Sequence, residues 1–127
     1  DALAGNGGAD RLAGQGRADV LRGGGGEDRL LGGGGDDRLI GGAGRDVITG
    51  GAGGDRFVIG AGAARDVITD FGRGADELVI AAPGVSGFGA LRVLDRGETA
   101  LLRWDGGSAL LRGVEPGEIG PGDVVFA

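Results

Sequence analysis

The sequence predicts an all-β fold in which short strands wind into stacked coils, and three observations predict it. Aspartate returns every nine residues, at Asp1, Asp10, Asp19, Asp28, Asp37, Asp46 and Asp55. Two residues after each stands a large apolar side chain in the same phase: Leu3, Leu12, Leu21, Leu30, Leu39, Ile48 or Phe57. Between the two columns the chain is mostly glycine, which supplies 34 of its 127 residues. A fixed short period marks a repeat architecture, in which each unit hides its apolar side chain only by stacking on its neighbours. A flexible linker has no reason to keep phase.

Six complete units begin at Gly5, Gly14, Gly23, Gly32, Gly41 and Gly50, after a broken half unit. The clearest run from Gly32 to Ile40 and from Gly41 to Thr49, and read G-G-x-G-x-D-x-U-x, where U is large and apolar. The glycine-rich first six residues suit a tight turn with positive φ angles, and the last three suit a short strand whose middle side chain points inward. Neighbours of that side chain then face outward: Arg11, Arg29, Arg38 and Arg56 at position seven, Leu31, Ile40 and Val58 at position nine. Asn6, Gln15, Arg17, Ala43 and Ala52 depart from glycine inside the turns, and Arg17 adds both a cation and a Cβ there.

Composition narrows the chemistry. Cysteine, methionine, histidine, lysine and tyrosine are absent, which removes disulfides, thiolate or imidazole metal sites and catalysis built on Cys, His or Lys. Hard oxygen donors remain. Nineteen carboxylates against thirteen arginines give a net charge of −6, which disfavours nucleic acid and anionic membranes and favours cations. No apolar run approaches the length of a membrane span. With four Phe and one Trp, an ordinary oily core is not expected, so stability has to come partly from elsewhere.

The nonapeptide resembles the repeat of the RTX (repeats in toxin), or hemolysin-type, calcium-binding family, over residues 1–58. The resemblance implies a right-handed parallel β-roll, a calcium-binding β-solenoid, in which one coil takes two units and the turns stack in two files. Asp1, Asp19, Asp37 and Asp55 then line one edge, and Asp10, Asp28 and Asp46 the other. Carboxylates stacked roughly 4.8 Å apart repel unless a cation lies between them, and Ca²⁺, with its six to eight oxygen ligands and forgiving geometry, suits that gap. The family's ligands are carbonyls at turn positions one to four with the position-six Asp. On this chain those carbonyls fall at Gly14 and Gly16, Gly23, Gly24, Gly25 and Gly26, and Gly32, Gly33, Gly34 and Gly35. They continue at Gly41, Gly42, Ala43 and Gly44, then Gly50 and Ala52. Four complete sites pair Asp10 with Asp28, Asp19 with Asp37, Asp28 with Asp46, and Asp37 with Asp55, while a fifth, between Asp1 and Asp19, lacks its upper turn.

After Phe57 the period breaks, and residues 59–127 are expected to form a β-rich C-terminal cap continuous with the roll of residues 1–58. Asp66 to Asp76 resembles the D-x-I-x-D-F-x-x-G-x-D segment that closes the roll in serralysin-type secreted proteins, with two strands around a glycine turn. Asp66, Asp70 and Asp76 there either complete a last calcium site or cap turns, which puts the load at about four to six Ca²⁺ ions. Thr99–Trp104 and Ser108–Val114 read as a hairpin around Asp105, Gly106 and Gly107, with Trp104 in the core. The ending Asp123-Val124-Val125-Phe126-Ala127 is similar to the uncleaved export tail of RTX proteins that leave Gram-negative bacteria by the type I pathway, and also suits a last edge strand.

The functional expectation is a secreted, extracellular module that binds calcium, folds on binding it, and carries a type I secretion signal. Its partners are calcium ions, the type I secretion machinery and a parent-protein domain N-terminal to it, with no nucleic acid and no membrane span. The alternative is a calcium-dependent interaction module that binds polysaccharide or a receptor, like the R-modules of alginate epimerases or a surface adhesin repeat. No enzyme is expected in this chain, since no metalloprotease H-E-x-x-H and no nucleophile–base pair can be assembled. Any catalytic domain of the parent protein lies outside it.

Overall fold

The computed structural model describes residues 1–60, 65–72, 75–82, 85, 87–95, 99–104, 106–114 and 116–126. Arg73 and Gly74 of the closing segment, Asp105 of the hairpin turn and Ala127 of the tail lie outside the described residues.

Among the described residues thirteen strands make two sheets. In chain order they are β1 (Ala2–Ala4), β2 (Arg11–Ala13), β3 (Val20–Gly25), β4 (Arg29–Gly34), β5 (Arg38–Ala43), β6 (Val47–Ala52), β7 (Arg56–Gly60), β8 (Arg65–Ile68), β9 (Glu77–Ala81), β10 (Arg92–Asp95), β11 (Thr99–Trp104), β12 (Gly107–Arg112) and β13 (Val124–Phe126). One sheet has the order β1-β3-β5-β7-β9-β13 and the other β10-β11-β12-β8-β6-β4-β2. From β1 to β9 alternate strands thus go to alternate sheets, and two nonapeptides complete one coil of a parallel β-roll.

The period sets the register. Leu3 pairs with Leu21, Leu21 with Leu39, and Leu39 with Phe57, each 18 residues on. In the facing sheet Leu12 pairs with Leu30 and Leu30 with Ile48. From Leu21 onward these inward side chains are fully buried, while Leu3 and Leu12 at the N-terminal end are half-buried. Parallel pairing runs on through residue 58: Phe57 pairs with Leu78 and Ile48 with Ile68, at spacings of 21 and 20. Leu78 then meets Val124, and Ile68 meets Leu111. The extra residues are taken up between strands, so the sequence loses its period while the apolar ladder keeps its alignment.

One feature differs from the sequence expectation. The strands β3 to β6 span six residues rather than three, because they continue into the first three turn positions. The amides of Gly25 and Gly34 donate to the carbonyls of Asn6 and Gln15 in the coil before, at 2.7 and 2.6 Å, so part of each turn joins the ladder. Residues 59–127 divide structurally: β8, β9, β12 and β13 extend the parallel stack, and β10 and β11 add an antiparallel edge to one sheet. Trp104 is buried in the core, packed so closely over Gly107 that a Cβ there would stand 2.7 Å from its indole nitrogen. No helix among the described residues is long and apolar enough to cross a membrane.

Candidate metal centre

Each repeat aspartate ends its turn just before a strand, so stacking the strands stacks the carboxylates. One oxygen of each is committed. The amide of Asp10 donates to Asp28 Oδ1 at 2.9 Å, Asp19 to Asp37 at 2.8 Å, Asp28 to Asp46 at 2.9 Å and Asp37 to Asp55 at 2.9 Å. The pattern outlasts the sequence period, since Asp46 donates to Asp66 Oδ1 at 2.9 Å and Asp55 to Asp76 Oδ1 at 2.8 Å. Asp66 and Asp76 therefore continue the two files.

The second oxygen is what makes a site. Oδ2 of Asp10, Asp19, Asp28, Asp37, Asp46, Asp55 and Asp66 is buried and has no hydrogen-bond partner. A buried acceptor left this way costs roughly 1–3 kcal/mol, more when charged, and a cation shared along each column would relieve all seven. A carbonyl oxygen approaches the same place. A Cβ at Gly23 would stand 2.5 Å from Asp28 Oδ2 and 2.6 Å from the carbonyl oxygen of Gly41, and one at Gly14 would stand 2.6 Å from Asp19 Oδ2 and 2.7 Å from that of Gly32. Gly5 and Gly32 repeat the arrangement with Asp10 and Gly23, and with Asp37 and Gly50. Glycine at position one leaves room for a carboxylate and a carbonyl to converge. No group of three carboxylates gathers among the described residues, and the oxygens that converge on each Oδ2 are backbone carbonyls. A cradle built of single carboxylates and carbonyls fits Ca²⁺ rather than a softer metal.

Burial raises the pKa of these groups. Asp46 and Asp55 are pushed up to about 6 and Asp66 up to about 7, chiefly by desolvation, with the aspartates of adjacent coils adding to the rise and the accepted backbone N–H opposing it. Asp37 is raised for the same reason.

The remaining expected residues divide. The nitrogen of Asp1 lies 2.7 Å from Asp19 Oδ1, the same ladder contact that the later aspartates make, and its side chain is exposed. Asp76 ends its file with both oxygens engaged, because Gly72 N donates to its Oδ2 at 2.6 Å. Asp70 caps a turn, accepting from Gly50 N at 2.9 Å and Gly51 N at 2.8 Å. Carbonyls at position two, as at Asn6 and Gln15, are taken by the next coil, whereas those at position one face the carboxylates. Asp36 went unnoticed in the sequence: its Oδ1 accepts Gly54 N at 2.8 Å and ties two turns together from position five. Its only signal was an acidic residue just before a repeat aspartate.

On the outer faces Arg11 and Arg29 lie in register on one sheet, and Arg38 and Arg56 on the other. Arg56 pairs with Glu77 at 2.9 Å. Arg11, Arg29 and Arg45 line an open groove of about 400 Å³ beside Glu27 and Asp28, with no ion pair to any of the three among the described residues. Leu31 and Ile40 are half-buried, and Val58 is buried.

Parallel coils with two files of inward-turned carboxylates define a calcium-binding β-solenoid module. The family model for the RTX calcium-binding nonapeptide repeat, in four copies, matches residues 4–39 and 31–65. The chain belongs to this RTX calcium-binding repeat family. Its fold is similar to the AlgE6R3 subunit of the mannuronan C5-epimerase from Azotobacter vinelandii, with a TM-score of 0.77 and 30% identity over 97% of this chain and 81% of that one. The AlgE6R2 subunit of the same enzyme gives 0.74 and 29% identity over 100% and 93%. The extracellular lipase LipA from Serratia marcescens gives 0.76 and 25% identity, and the match takes 94% of this chain but only 20% of the lipase. No curated protein matches this chain in sequence.

Proposed function

We propose that this module is a calcium-driven folding device of a larger secreted protein. The observation that carries it is the set of seven buried, partnerless carboxylate oxygens in two columns. Without a cation these groups oppose folding, and with one they hold successive coils together, so ion binding and folding become one event. Consecutive turns from Asp10 to Asp66 and from Asp19 to Asp76 make room for about six ions. At a hundred times the dissociation constant each independent site stabilises the fold by about 2.7 kcal/mol, which offsets much of the glycine entropy. Such a chain stays open where calcium is scarce and folds in the millimolar calcium outside cells, which fits export in an unfolded form. In this reading the last residues serve the type I machinery, and catalysis, if the parent protein has any, lies outside this repeat domain.

Titrating Ca²⁺ into chelated protein should turn a disordered circular dichroism spectrum into a β spectrum with positive cooperativity, and Mg²⁺ should not. Asp37→Ala removes both an acceptor for Asp19 N and one free oxygen, and should raise the calcium midpoint about tenfold. A chelated chain that is already fully folded would sink the proposal.

A second reading, a calcium-dependent interaction module, is favoured by the unpaired arginines of the groove and by likeness to subunits of an epimerase named for a polysaccharide substrate. It expects polyuronate binding in calcium that Arg29→Glu weakens at least fivefold, with calcium-induced folding unchanged. Equal retention of both proteins on a polyuronate matrix counts against it.

A further inference from the structure

We infer that the N-terminal end of the roll is a built stop: Asn6, Gln15 and Arg17 bar any further nonapeptide coil, from upstream sequence or from a second copy, from stacking on it. The evidence begins with backbone angles. Positions two and four of every turn have positive φ, from +90° at Gly42 to +108° at Gly53 in the later coils. Among the described residues the non-glycine side chains held at positive φ are Asn6 at 76°, Gln15 at 79° and Arg17 at 74°. Asn6 lies in the turn that ends at Asp10, and Gln15 and Arg17 in the turn that ends at Asp19.

The later coils show why side chains are confined there. A Cβ at Gly24 would stand 2.7 Å from the carbonyl carbon of Asn6, one at Gly33 2.7 Å from that of Gln15, and one at Gly35 2.5 Å from that of Arg17. Gly42, Gly44, Gly51 and Gly53 meet the carbonyls of Gly24, Gly26, Gly33 and Gly35 in the same way. Backbone cannot move out of the way without breaking the ladder. Each such Cβ points toward the coil before it, so at Asn6, Gln15 and Arg17 it points out of the N-terminal end, where the side chains are exposed. Gly8, the fourth equivalent position, has nothing within 4 Å of its virtual Cβ.

A coil placed on that end would set its own position-two and position-four carbonyls against three Cβ atoms. The exclusion follows from geometry and holds whatever chain precedes Asp1. It also answers a hazard. Among the described residues β1 and β2 are the edge strands of the two sheets, and Leu3 and Leu12 on them are half-buried. Parallel, in-register edges are ready templates for another roll. Strained side chains on the turns deny that template while leaving the first coil itself intact.

The test inserts a second copy of residues 23–40, one full coil, between Ala4 and Gly5, in the native background and in N6G/Q15G/R17G. Hydrogen exchange in calcium then reads the inserted amides, with β3 to β7 as the internal reference for a folded roll. The expected result is at least tenfold greater protection of the inserted coil in the triple-glycine background. An insertion that unfolds the roll in the native background alone is the same result in stronger form. Equal protection in the two backgrounds, whether high or low, overturns the proposal.

Discussion

A single aspartate in this roll does two jobs with its two oxygens. Oδ1 of Asp46 accepts the amide of Asp28, and its Oδ2 is left buried without a hydrogen-bond partner. The nine-residue period identified the residue but not this division, which arises only when coils stack. The same stacking reaches Asp1, whose nitrogen meets Asp19 Oδ1 just as the amide of Asp28 meets Asp46. The raised pKa values set a pH dependence whose sign follows from linkage. Asp46, Asp55 and Asp66 have folded values of about 6 to 7, above the ordinary value of 3.8 for an unfolded chain. The stability they contribute without calcium is therefore fully present below pH about 4 and lost as pH rises through about 6 to 7. Chelated protein should gain β structure on acidification from neutral pH to pH about 4, and calcium affinity should weaken over the same window as protons compete. Circular dichroism in chelator checks the first, and a chelated chain less structured in acid than at neutral pH contradicts it.

At the scale of the turn and strand, the departures from glycine cease to be irregular. Ala43 and Ala52 sit at position three, and the equivalent Gly25 has nothing within 4 Å of a virtual Cβ. Position two is different. Gly24 combines φ of +94° with a carbonyl one coil below, so both strain and collision oppose a side chain. Gly25→Ala should change stability in calcium by less than about 0.5 kcal/mol, whereas Gly24→Ala should cost about 2 kcal/mol or more. Calcium-dependent thermal unfolding of the two variants measures the difference, and equal losses would mean the coils do not stack in this register. The strand pairing itself was legible, because a column of inward Leu and Ile at a constant spacing leaves one alignment that buries them all. The six-residue strand length was not legible, because glycine carries no pattern of burial to read.

For the molecule as a whole, the repeat region was plain from its period, whereas the closing region was legible only through its resemblance to a closing segment and not through any period. Spacings of 20 and 21 residues place Ile68 and Leu78 on Ile48 and Phe57, and a search at a fixed period passes over them. What they do is cover the last regular coil. A fragment of residues 1–58 would expose Phe57 and Ile48 and remove the partners that Asp66 and Asp76 give to the amides of Asp46 and Asp55. It should remain largely disordered in millimolar-range calcium, the regime of extracellular calcium modules, while the full chain folds. A fragment that folds as cooperatively as the whole would show that residues 59–127 are dispensable.

The ladder of unpaired carboxylate oxygens also has an electrical consequence. The bare chain carries a net charge of −6, so three divalent ions neutralise it and a fourth reverses its sign. Filling the two files turns an anode-seeking polymer into a cathode-seeking particle while its arginines keep their places on the outside. The same ions that close the coils thereby change which surfaces the particle is drawn toward, from cationic ones to acidic ones.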